Sequence, residues 1–131
     1  MGAEWRVRAI RGATTAQENS VAAITEAVLE LLIELETRNQ LDPQNMISVV
    51  FTATRDLDAI FPAQIARQRP HWDGVALMDV QQMYVKDSLP MCIRFLIHAN
   101  LPVNQPIEHP YLRGASNLRP DWSMEALGSQ G

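Results

Sequence analysis

Arg94 stands inside Met91-Cys92-Ile93-Arg94-Phe95-Leu96-Ile97, a run whose other side chains carry little or no polarity. A guanidinium keeps its charge at any physiological pH, so burying it is costly unless an anion meets it. That anion is either a structural carboxylate or a ligand. Arg11 is a second such group, closing the alternating row Trp5, Val7, Ala9, Arg11 just before Gly12. It either points into a cleft at the sheet's end or lies in solvent at a frayed strand end. Arginine forks bind carboxylates two bonds at a time, which lysine cannot do. The chain has ten arginines against one lysine, Lys86, but genomic base composition can give the same ratio. Position must therefore carry the argument. Arginines at strand ends suit a polyanionic small molecule, and they can catalyse by positioning and electrostatics alone.

Other chemistries lack their parts. There is no nucleophile elbow with a Ser-His-Asp set and no Gly-rich phosphate loop. His71, His98 and His109 are scattered without metal-ligand spacing and read as loop or core-edge residues. Cys92, the single cysteine, reads as a small core hydrophobe and excludes an internal disulfide. The carboxylates form no convincing acid–base pair. No metal and no cofactor is expected.

The elements that must hold these arginines follow from periodicity. Trp5 to Arg11 alternates as a strand, and Gly12 allows a tight turn or a close backbone approach. Thr15 with Glu18 has capping-box spacing, and Asn19 or Ser20 could equally cap the helix predicted from Val21 to about Arg38. Its apolar stripe is Val21, Ile24, Val28, Leu31, Leu32 and Leu35, with Glu26, Glu30 and Glu34 opposite. Met46–Ala53 reads as a central strand. Ala59–Gln68 reads as a short helix with Pro62 in its first turn. Val75–Val80 is a third strand, 81–88 a polar loop, and the Arg94 run a fourth strand. There Arg94 shares a face with Cys92, Leu96 and His98. Pro102, Pro106 and Pro110 mark a crossing loop, and Ile107–Leu112 is expected as a last short edge strand carrying Tyr111. Residues 1–131 read as one domain, with about 123–131 a loose tail.

Composition narrows the class. A hydrophobic fraction of 47% and a charged fraction of 20% lie in the globular range. A net charge of −4 argues against general binding to nucleic acid or anionic membrane. No apolar run reaches a membrane span, and no signal peptide is recognised at Met1-Gly2-Ala3-Glu4. A soluble cytoplasmic protein is expected.

Four segments resemble one family. Arg8-Ala9-Ile10-Arg11-Gly12-Ala13-Thr14-Thr15 resembles the first strand of chorismate mutases of the AroH class. Ala53-Thr54-Arg55-Asp56-Leu57-Asp58-Ala59-Ile60-Phe61-Pro62-Ala63, then Leu89 to Arg94, then Leu118-Arg119-Pro120-Asp121 follow in the family's order and spacing. The resemblance covers roughly residues 5 to 122. It implies an α+β fold, a mixed β-sheet with one long and one short helix packed on it. It also implies a homotrimer with a barrel-like core and active sites between subunits. The implied reaction is the pericyclic rearrangement of chorismate to prephenate in phenylalanine and tyrosine biosynthesis, which needs no nucleophile, metal or proton shuttle.

By matching position, Arg94 would bind near the substrate's ether oxygen, with Arg11 and Tyr111 holding carboxylate and the folded conformer. Phe61 and Ala63 would shape an apolar wall, with Leu77, Met78 and Leu118 lining it further. Arg67 and Arg119 would assist anion entry and closure. Two departures stand out. Gln64 occupies a position where the family often has lysine, which weakens the entrance field. Asp79 and Gln82 stand where the family usually has cysteine and glutamate at the substrate hydroxyl. The expectation is that Asp79 supplies the carboxylate and Gln82 a neutral hydrogen bond, with Asp79 also steadying Arg94 in the empty site. The competing readings are a non-catalytic trimeric sensor for a small dicarboxylate and a trimeric deaminase-like protein.

Overall fold

A computed structural model describes residues 4–121. Its centre is a four-stranded mixed sheet in the order β1-β4-β2-β3. The strands are β1 (Trp5–Thr15), β2 (Met46–Ala53), β3 (Ala76–Gln81) and β4 (Cys92–Pro102). β4 lies antiparallel between β1 and β2, and β3 runs parallel to β2. The order puts the two most apolar strands inside. A parallel pair needs a crossover, and residues 54–75 supply it with helix α2 (Pro62–Arg67). This is the expected mixed α+β sheet with one long and one short helix.

Helix α1 (Val21–Asn39) settles the choice of cap: Ser20 Oγ accepts the Ala23 N–H at 3.1 Å. It ends at Gln40, whose left-handed backbone (φ 49°) returns its N–H to the Glu36 carbonyl. Ile24, Val28, Leu31, Leu32 and Leu35 are buried as predicted, each worth about 1.5–3 kcal/mol over exposure. Val21, in the first turn, lies in solvent instead. Both helices pack on one sheet face, against Ile10, Val49, Phe51, Ile93, Phe95 and Ile97. Phe51 and Phe95 meet edge to face there, 4.6 Å between ring centres.

Registers fix what lies on the other face. Thr52 pairs with both Arg94 and Val80, and Arg11 pairs with Leu96. Side chains of directly paired residues share a face, so Trp5, Val7, Ala9, Arg11, Arg94, Met78 and Val80 all look away from the helices. The row ending in Arg11 is therefore not the core row; Ile10 carries the core contact. Large apolar groups are left open on this outer face: Trp5 is 47%, Val7 55% and Met78 61% exposed.

Other boundaries moved for identifiable reasons. β1 runs through Gly12 without a turn, because β4 pairs with it as far as Thr15. The glycine serves close approach: a Cβ there would lie 3.1 Å from Leu31 Cδ1 and 3.2 Å from the Pro110 carbonyl oxygen. α2 begins at Pro62, since the proline N–H is missing and the turn before it is not helical. The edge strand expected at Ile107–Leu112 reduces to a single bridge, Ala13 with Tyr111. Asn39 explains how that segment is held. Its amide donates to the Glu108 carbonyl at 2.9 Å and accepts the Glu108 N–H at 2.8 Å. Farther on, Arg113 reaches Glu30 and Glu26 of α1. The tail assigned to 123–131 lies outside the described residues.

Candidate active site

Arg94 enters the outer face because β4 alternates strictly, with Ile93, Phe95 and Ile97 taking the core side. Ala13 is its cross-strand partner, and Ala13 bridges Tyr111 on the far side. Arg94, Ala13 and Tyr111 thus form a row across one end of the outer face. Arg11 sits diagonally from Arg94, a relation that places Cβ atoms about 7–8 Å apart or less. Such spacing suits one small dianion held by two forks. Arg94 is half-buried, and its Nε has no hydrogen-bond partner among the described residues. Cys92 stands beside it on the same face; burial pushes the thiol up, and the Arg94 guanidinium partly opposes this.

Tyr111 is 1% exposed and packs with Ala13 and Ala115, and Leu118 closes over that cluster. Arg119 follows and pairs with Asp121 at 2.8 Å in an exposed position. His109 is also drawn in: the Arg11 backbone N–H donates to its Nδ1 at 2.9 Å. Reading His109 as a core-edge residue was right about its partial burial but missed this contact. No periodicity in the Pro106–Pro110 stretch could have revealed it.

A second group of predicted residues gathers elsewhere. Phe61, Gln64 and Asp79 line a cleft of about 700 Å³ between α2, β3 and the end of β2. Phe61 is 66% exposed at its mouth, while Ala63 is buried beneath. α2 has no side-chain cap of its own, since Phe61 precedes it. Asp79 supplies one from β3, its Oδ1 accepting the Ala63 N–H at 3.0 Å. Burial raises the Asp79 carboxyl, while that N–H and the charge of Arg67 hold it down. Leu77 lies on the same side, packed against the main core.

Asp79 pairs in register with Phe51, on the helix side, whereas Arg94 pairs with Thr52, on the other. Within one chain Asp79 does not steady Arg94; the sheet separates them. Met78 points to the outer face, one residue from Asp79 and on the opposite side. Gln82 joins neither group directly. It leaves the end of β3 and lines a smaller recess with Thr54, Arg55 and Pro90, where its Oε1 is buried without a partner among the described residues. Arg55 stacks on Tyr84 at that recess, 3.7 Å from the ring centre. No acid–base or nucleophilic set is assembled in either group among the described residues; the first offers positive charge, the second an apolar wall and hydrogen-bonding groups.

Residues 7–122 match the family model described as chorismate mutase type I. The chain is 40% identical over 117 residues to the chorismate mutase AroH of Thermus thermophilus, covering 88% of this chain and 95% of that protein. It is 34% identical over 120 residues to the chorismate mutase AroH of Bacillus subtilis, covering 90% and 94%. A solved chorismate mutase from Clostridium thermocellum has a similar fold, with a TM-score of 0.79 at 42% identity. That likeness covers 83% of this chain and 97% of the other.

Proposed function

The chain belongs to the chorismate mutase type I family, and we propose that its two residue groups are two halves of a site completed between neighbouring subunits. It is an isomerase that converts chorismate to prephenate, a step of aromatic amino-acid biosynthesis. Each of these relatives is named a mutase, so the dicarboxylate-sensor alternative has no support.

One observation carries the site reading. Arg11, Arg94 and Tyr111 share the outer face, while Phe61, Gln64 and Asp79 line a cleft beside α2 and β3, with Ala63 buried beneath it. One small substrate cannot touch both groups of the same chain. A second copy docked on the exposed Trp5, Val7 and Met78 would bring its cleft to the first copy's arginines. The apolar exposure of that face supports a homotrimer whose sheets enclose a barrel-like core. The chain would act as one domain, in the cytoplasm, with Leu118 and Arg119 closing over bound substrate.

In such a site the rearrangement proceeds by conformer selection and electrostatics. Arg11 and Tyr111 hold carboxylate, and the apolar wall of Phe61 and Ala63 keeps the enolpyruvyl chain folded over the ring. As the C–O bond breaks, negative charge grows on the ether oxygen, and the fixed guanidinium of Arg94 meets it. Donors aimed at developing charge are worth about 3–4 kcal/mol each in the barrier. Asp79 faces the substrate hydroxyl from the cleft and Gln82 from the adjoining recess, which shares Thr54 and Arg55 with it, and Gln64 and Arg67 stand at the entrance. Incubation of purified protein with chorismate, followed by its loss of absorbance, tests the activity. Turnover is expected, and its absence at micromolar enzyme would falsify the reading.

A further inference from the structure

We propose that His109 is a positioning residue for this reaction, tying the Arg11 stretch of β1 to the Tyr111 segment while neutral and releasing it when protonated. The proposal rests on the reading of Arg11 and Tyr111 as substrate-holding groups.

β1 is an edge strand, so every second N–H along it points away from β4. At Ala13 the neighbouring segment answers with backbone groups: the Ala13 N–H donates to the Pro110 carbonyl at 3.1 Å, and the Leu112 N–H donates to the Ala13 carbonyl at 2.8 Å. Two residues earlier the segment's answer to the Arg11 N–H is a side chain, the His109 ring. An Nδ1 that accepts must expose its lone pair, so the ring proton sits on Nε2. An imidazolium would set N–H against N–H at 2.9 Å, and the contact would open. His109 lies two residues before Tyr111 and against the backbone of Arg11. The tie therefore sets the spacing between the two groups read as holding carboxylate.

The surroundings favour the neutral ring. Burial lowers its affinity for a proton, Arg11 and Arg119 add positive charge, and Asp121 opposes them. Arg6 and Arg8 of β1 line the same recess, and adjacent Glu108 is turned to Arg38. With the folded value depressed, the stabilising tie is whole above the ordinary histidine range and is lost as pH falls through the folded value. The rearrangement itself moves no proton, so an acid limb in its rate reports on the protein. Asp79 also titrates on the acid side, so substitution at His109 must separate the two.

The experiment is a set of pH–rate profiles for wild type, His109→Leu and His109→Asn, each first shown folded by circular dichroism. Asn can place Oδ1 where Nδ1 accepts, and it does not titrate. For wild type, kcat/KM is expected to hold at neutral pH and to fall on the acid side of the ordinary histidine range, as pH drops through the lowered folded value. The Leu variant should be lower by about three- to tenfold at neutral pH, the worth of one hydrogen bond. The Asn variant should recover most of that loss and flatten the acid limb. A folded Leu variant equal to wild type at neutral pH overturns the proposal, as does an Asn variant that keeps the wild-type acid limb. Arg11→Ala serves as the control: full turnover in that variant overturns the underlying reading of Arg11 and the proposal with it.

Discussion

Arg94 and Asp79 lie on adjacent registers of one sheet and answer to different neighbours. Arg94→Lys keeps the charge but loses the planar fork. It should lower kcat by about 10²–10³, as for one lost donor to developing charge, and leave the melting temperature within a degree or two. Steady-state kinetics beside a thermal melt reads both. Asp79 makes a different prediction, because burial raises its carboxyl. A raised folded value means its contribution favours folding below about pH 4 and is lost as pH rises through the folded value. At neutral pH the charge is a burden on the fold. Asp79→Asn keeps an acceptor for the Ala63 N–H, so it should melt higher than wild type at pH 7.5, with the gain fading toward pH 4. Activity should drop even so, and by more than in Gln82→Ala; a lower melting point at pH 7.5 would contradict this. That Arg94 lies half-buried in an apolar strand was legible from the residues around it. Its face was not, because Cys92 and Leu96 make both sides of β4 apolar and leave the alternation without a sign.

At the scale of elements, strong periodicity was read well and irregular backbone was not. β2 stands where its apolar run put it, and the stripe of α1 where 3.6-residue spacing put it, Val21 excepted. β1 ran past Gly12 because pairing with β4 outweighs the strand-weakening tendency of one glycine. The segment from 103 to 112 has no periodicity to read; it is fastened by side chains far away in sequence, Asn39 above all. Asn39 is fully buried and holds both backbone groups of Glu108. Asn39→Ala leaves those groups without their partner and should cost about 2–3 kcal/mol. A urea titration checks the stability. If the segment also positions Tyr111, kcat/KM should fall at urea-free conditions where the variant is still folded.

For the whole molecule, the proposed site completed between subunits would make activity a property of the assembly. Specific activity should fall on dilution in step with the shift from trimer to monomer in sedimentation. A monomer that keeps full activity would refute the shared site. Complementation gives a sharper version. Arg94→Ala and Asp79→Ala, each defective alone, should regain activity when dissociated, mixed and reassembled, because a hybrid can pair an intact arginine face with an intact cleft. No gain on mixing would place both groups in one chain's site. The family resemblance implies this arrangement from short motifs. The residues alone could not, since a sequence shows which side chains are apolar and not whether a sheet face is covered by its own helices or by another chain.

The open outer face also gives the protein an optical signal of its own. Trp5 lies 47% exposed on that face, while Trp72 is 1% exposed within the core. Assembly that covers the face would move the Trp5 indole out of water and leave the Trp72 indole where it is. With Trp122 replaced by Phe, tryptophan emission should shift to shorter wavelength as subunits associate, and Trp5→Phe should abolish the shift. Binding between copies could then be followed by fluorescence without label or substrate.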